Sequence, residues 1–225
     1  MKKLLRLKNL LLLASAAFLV WSCNKDENEE TTKTDTLTIV ETAQGQDALS
    51  SLVSALSSAD NSEGTDLIGT LSSNGPFTVF APTNDAFASL LTQLDGFDSL
   101  ANFDTDEERA ILTTILTYHV VAGAAAKSTD LSDGMTVTTV QGEDLTINLD
   151  GGVFIDDATE TNAEVVIADV EASNGVVHVI NKVLLPQTII DALNEGEMTN
   201  EDGTLVDVVV ATEALSILEA AVIKA

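Results

Sequence analysis

"GPFTVFAPTNDAF", Gly75 to Phe87, sets a strand, a stop and a helix start side by side. Phe77 to Ala81 reads as a strand, either alternating or buried on both faces. Pro82 fixes its own φ and has no N–H, so it cannot extend the ladder. Thr83 or Asn84 then offers an oxygen to the first free amides of a helix, "TNDAFASLLTQL". Asp85 suits the positive end of that helix's dipole.

Upstream, Leu49, Leu52, Val53 and Leu56 recur at helical spacing within Ile39 to Leu56. "ADNSEGTD" breaks that pattern, and Thr65 is placed to cap a short helix at Asp66 to Leu71. "SSNGP" is a loop. Downstream, "TDEERAILTTILTYH" is the clearest helix. Thr105 and Glu108 have capping-box spacing, Ile111, Leu112, Ile115 and Leu116 form its buried stripe, and His119 continues that stripe. After Gly123 the apolar period becomes two. "TVTTV", "LTINL", "VFI", "AEVVIADV" and "GVVHVINKVLL" are expected strands. Asp133-Gly134, Gln141-Gly142, Asp150-Gly151-Gly152 and Asn174-Gly175 are the turns between them. Helices first and a mostly antiparallel sheet second make the class α+β.

Charge divides the chain. Ten Lys and Arg face 36 Asp and Glu, for a net −26. Lys2, Lys3, Arg6 and Lys8 open the sequence, and Leu10 to Trp21 is an apolar run too short to span a bilayer. It fits the core of a secretory signal. With Val20-Trp21-Ser22-Cys23 after it, residues 1–22 resemble a bacterial lipoprotein signal. That resemblance implies acylation of Cys23, the chain's single cysteine. The alternative is an ordinary signal followed by an unpaired thiol. Residues 23–36 form an acidic tether, and Lys25-Asp26-Glu27 resembles the Lys-acid-acid signal that sends some lipoproteins to the outer face of the outer membrane. Loss of the four leading cations takes the charge from −26 to about −30. Nucleic-acid binding is excluded, since phosphate requires a basic face. An anionic membrane surface does not attract the chain either, so the membrane is reached by the lipid anchor alone.

Catalytic patterns are sparse. His119 and His178 are the two histidines. Each reads as an interior imidazole bonded to main chain, with no zinc spacing and no thiol partner. No Gly-x-Ser-x-Gly elbow and no phosphate-binding glycine loop occurs. The acid clusters "DTDEE" (Asp104–Glu108) and "DGGVFIDDATE" (Asp150–Glu160) do not fit a calcium loop, which leaves weak surface calcium binding. No catalytic residue, metal ligand or cofactor is expected.

Three blocks carry a resemblance to the fasciclin-domain family: Gly75 to Phe87, "ILTYHVV" (Ile115–Val121) and "ASNGVVHVINKVLLP" (Ala172–Pro186). The resemblance spans about 37–190. It implies a wedge of β-strands with helices packed around it, in an adhesion or matrix protein that is not an enzyme. Carried over residue by residue, Pro76, Thr78, Pro82, Thr83, Asn84, Asp85, Phe87, Asn174, Gly175, His178, Asn181 and Pro186 are mainly structural. Tyr118 and His119 match the Tyr-His pair linked to receptor binding in some members. Asn181 departs from the family's usual Asp.

After a linker at 191–203, "LVDVVVATEALSILEAAV" (Leu205–Val222) aligns without gaps to "IVETAQGQDALSSLVSAL" (Ile39–Leu56), with six of 18 positions identical. Residues 204–225 thus read as the truncated start of a second fasciclin-like repeat. The expected protein is a surface-exposed outer-membrane lipoprotein of the cell envelope. Its domain would act in adhesion, binding a protein or glycan on a cell or matrix. The alternatives are an envelope enzyme or accessory factor in polysaccharide handling, or a structural spacer.

Overall fold

A computed structural model describes residues 37–94 and 99–194. The signal, Cys23, the tether and the half-repeat lie outside the described residues.

Six helices are described: α1 Ile39–Gln44, α2 Ser50–Ala59, α3 Leu67–Ser72, α4 Asn84–Leu91, α5 Asp106–Tyr118 and α6 Gln187–Asn194. Seven strands form one sheet: β1 Phe77–Pro82, β2 Val120–Ala122, β3 Thr136–Thr138, β4 Asp144–Asn148, β5 Phe154–Asp156, β6 Ala163–Ala172 and β7 Gly175–Ile180. Their order is β2-β1-β7-β6-β5-β4-β3, and β1 with β7 is the parallel pair. The other pairings are antiparallel, as an α+β reading requires.

The helix starts follow from local chemistry. Thr83 caps α4 by accepting from the Ala86 amide, so Thr83 fills that role and Asn84 does not. Asn84 reaches back instead. Its Oδ1 accepts from the Ser51 amide at 2.8 Å, and its Nδ2 donates to Asp47 O, which ties α4 to the start of α2. Asp66, not Thr65, caps α3. Thr105 and Glu108 form the expected capping box on α5. The span read as one helix from Ile39 is broken at Gly45, with α1 before it and α2 after.

β1 is buried along its whole length. Phe77, Val79 and Ala81 point into a core shared with α1 to α5, while Phe80 points into a second core with Tyr118, Leu145, Ile147, Ile155 and Ile180. A strand apolar on both faces suits a parallel pairing at the centre of a sheet.

Asn174 holds one end of this assembly. Its Oδ1 accepts from the Ile39 amide at 3.0 Å, and its Nδ2 donates to Leu71 O at 2.7 Å and Ser73 O at 2.8 Å. The start of α1, the end of α3 and the β6–β7 hairpin therefore meet at a single amide. The expected Asn-Gly turn needs correction. The hairpin loop is Ser173-Asn174, and Gly175 already pairs with Ala172. Glycine is required there by crowding, since a Cβ on Gly175 would lie 2.1 Å from Phe77 O.

Two elements were not anticipated. β2 follows α5 at once, in the stretch between the expected helix end at His119 and Gly123 that the sequence pattern assigns to no element. α6 covers 187–194 and so includes the first residues of the expected linker.

Asn174→Ala leaves the Ile39 amide and two carbonyls without their partner. Each buried group left unpaired costs about 1–3 kcal/mol. Urea unfolding is expected to show a lowered midpoint with an unchanged slope, and a midpoint equal to wild type would refute the clamp.

Candidate functional site

The Tyr-His pair ends α5. His119 is its C-terminal cap, and its ring bridges two segments. Nδ1 donates to Ile115 O at 2.7 Å, one turn back, and Nε2 accepts from the Leu184 amide at 2.8 Å. Complete burial lowers its pKa from 6.5 to about 4, so the imidazole is neutral. Beside it lies a cavity of about 20 Å³, lined by apolar residues of α1, α2, β1 and α5. Tyr118 turns the other way, into the second core, where its hydroxyl donates to Asp144 O at 3.2 Å. Burial, aided by the charges of Asp157, Glu143 and Asp144, raises its phenol pKa. Tyr118 is 1% exposed and His119 2%. Both side chains named by the Tyr-His resemblance are thus interior, and in the folded domain neither offers contact surface.

His178 is wholly buried and uses the opposite tautomer. Nε2 donates to Ala126 O at 2.9 Å, Nδ1 accepts from the Asp169 amide at 3.3 Å, and the ring stacks on Phe80. The Asp169 carboxylate does not engage the imidazole. It accepts from the Ser128 amide at 2.7 Å and from the Ser128 hydroxyl, bonds that hold its pKa below the usual carboxylate value. A serine, an aspartate and a histidine are thus neighbours without a relay, because both ring nitrogens are occupied by main chain.

The remaining family positions have mechanical roles. Thr78 Oγ1 donates to Ala124 O and accepts from the Ala126 amide, pinning the loop that also receives His178. Asn181 Oδ1 accepts from the Glu164 amide at 2.9 Å, as an Asp would, while its Nδ2 donates to the Glu164 carboxylate, which an Asp would repel. Pro82 closes β1, Phe87 is buried beneath α4, and Asp85 lies in the first turn of α4. Pro186 precedes α6, whose first amide, that of Gln187, donates to Glu143 at 2.7 Å.

Asp157 was missed as an individual residue. Its side chain is fully buried, and both oxygens lie 2.9 Å from the Lys182 Nζ. It also accepts from the Thr159 and Leu185 amides. Strand alternation past Ile155 would have aimed it inward, although it was grouped among surface acids. In the other cluster, Glu108 closes the capping box and Asp106 pairs with Arg109. Among the described residues no group of acids and histidines is arranged to hold a metal ion.

An open groove of about 480 Å³ runs between Asn74-Gly75-Pro76 and Glu171 to Val176, with Lys127 on its wall. Most of its lining comes from two of the three blocks that carry the resemblance.

A family model described as the fasciclin domain matches residues 47–186. The chain belongs to the fasciclin-domain family. It is 44% identical over 151 residues to protein sll1483 of Synechocystis sp., covering 67% of this chain and 74% of that protein. It is 40% identical over 144 residues to the cell surface glycolipoprotein MPB83 of Mycobacterium bovis, covering 64% of this chain and 58% of that one. The fold resembles the FAS1 domain pair of the insect cell adhesion molecule Fasciclin I, with a TM-score of 0.54 at 20% identity, over 67% of this chain and 51% of that one. The fasciclin signature residues thus lie mostly in the interior.

The neutral buried imidazole has a measurable consequence. Between pH 6.5 and about 4 the unfolded chain binds a proton at His119 that the folded domain refuses. Stability is complete above that window and falls as pH drops through it, by about 3 kcal/mol for this group. Urea midpoints of wild type and His119→Gln should converge toward pH 4, and parallel profiles would contradict the assignment.

Proposed function

We propose that this protein is a lipid-anchored, surface-displayed interaction module, with Cys23 as the acylated residue and the fasciclin domain as the part that meets a partner on a cell or matrix. The observation that carries the reading is the engagement of both histidines. Each ring is bonded at both nitrogens to main chain, so the signature polar residues hold the domain together and leave its outer face to do the binding. The lipobox-like Val20 to Cys23 and the similarity to a cell surface glycolipoprotein support the location. Among the described residues no helix is long and apolar enough to cross a membrane. An acidic chain has no attraction of its own for an anionic bilayer. The enzyme alternative would require His119 or His178 to surrender a main-chain bond in order to reach a substrate.

Two measurements test this. Protease shaving of intact cells should remove the domain, and Cys23→Ser should move the protein from the detergent phase to the aqueous phase. A domain that survives shaving, or a Cys23→Ser protein that stays in the detergent phase, would overturn the reading.

A further inference from the structure

β6 is longer than any other strand of the sheet, and half of one side of it is unpaired. β5 pairs with Ala163 and Glu164, and the Val165 amide donates to Val153 O at 2.8 Å. Beyond that point no described strand lies on the β5 side, although β7 stays paired with β6 as far as Ala172. Two register shifts fall in this stretch, between Val165 and Ile167 and between Ile167 and Val170. Bulges break the in-out alternation. As a result Val166 and Ile167, adjacent in sequence, are each 48% exposed, and Ala168 is exposed beside them. Asp169 takes a positive φ of 59° at the second shift. A free edge with apolar side chains is a template for another strand.

Charge selects the occupant. Glu164, Asp169 and Glu171 flank the apolar residues along the same strand. Among the described residues the cations are Arg109, Lys127 and Lys182, and each is held by a carboxylate, of Asp106, Glu171 and Asp157 respectively. Lys127 offsets Glu171, which leaves Glu164 and Asp169 at this edge without an ion-pair partner among the described residues. A second copy would bring the same acids against them, and an acidic peptide or a phosphate would be repelled. A chain with lysine or arginine flanking a short apolar run complements the edge in both respects. The strand also leads into the groove, since Glu171 and Ala172 belong to β6 and line it.

We propose that the open edge of β6, Val166 to Glu171, docks an extended, cationic segment of a partner protein by strand addition, with Val166 and Ile167 packing against its apolar residues. This rests on the reading of the domain as an interaction module and specifies the chemistry of its partner.

The test uses the full chain carrying Cys23→Ser and three synthetic peptides. One alternates valine with lysine. The second replaces lysine by glutamate. The third keeps the lysines but has proline at its centre, which removes a main-chain donor. Binding is followed by calorimetry and by amide chemical shifts. The lysine peptide should shift resonances from 166 to 171. Its affinity should fall at least about tenfold, equivalent to 1.4 kcal/mol, in the Val166→Ser/Ile167→Ser double variant, and the proline peptide should lose as much on wild type. Both side chains are half exposed, so the variant retains its core, and its urea midpoint verifies this. Equal binding of the lysine and proline peptides would mean diffuse charge attraction and overturn the proposal. So would equal binding to wild type and variant, binding of the glutamate peptide, absence of binding at millimolar peptide, or a dimer abolished by the double variant. Failure here leaves the surface display standing, because shaving tests that independently.

Discussion

Main chain crosses main chain at one end of the sheet, and the rest of the domain is arranged around that crossing. A Cβ on Gly75 would lie 1.9 Å from Asn174 O, and one on Gly175 would lie 2.1 Å from Phe77 O. Only glycine admits such an approach. The Phe77 amide donates to Asn174 O at 3.0 Å across the gap, and the Asn174 side chain collects α1 and α3 around it. The parallel register of β1 and β7 begins here, with Phe77 opposite Gly175. The same register puts Phe80 opposite His178, so the aromatic stack deep in the sheet is set by the crossing at its end.

The polar signature residues follow a common logic. Segments without regular structure still carry amides and carbonyls that must be paired when buried. The turn after β7 finds a partner in His119, through the Leu184 amide, and in Asp157, through the Leu185 amide. The loop after β2 finds Thr78 and His178. Two imidazoles in opposite tautomers are therefore what two irregular segments demand, one presenting an amide and the other a carbonyl. A buried carboxylate with a lysine is a costlier device and is tolerated only when its remaining lone pairs are filled. Asp157 meets that condition with two main-chain donors and a threonine.

What could be read in the sequence was short in range. Thr105 with Glu108, Thr83 beside Pro82, and the glycines at 134, 142 and 151, which take positive φ, each depend on a window of a few residues. Period-two runs located β3 to β7. The losses were long in range. β2 is too short to show a period. α6 begins at an amide satisfied by Glu143, far back in the chain. Asn84 was weighed as a cap for its own helix and turned out to hold another. The same limit applies to Tyr118 and His119. The place of His119 at the end of an apolar stripe was legible, but not that Tyr118 turns the other way into a second core.

This division has a consequence for how the family's members differ. Thr78, Thr83, Tyr118, His119, Asn174, His178 and Asn181 of the fasciclin signature bond through their side chains to main chain, so changing one of them disturbs folding. Positions that the fold leaves free can change without that cost. In this chain those are the unpaired length of β6, where two bulges turn apolar side chains outward between acids, and the groove beside it. Bulges at a free edge ordinarily discourage a strand from pairing with its like. Here the acids along the same strand add charge repulsion against another copy of the chain. One local irregularity thus lowers the risk of self-association.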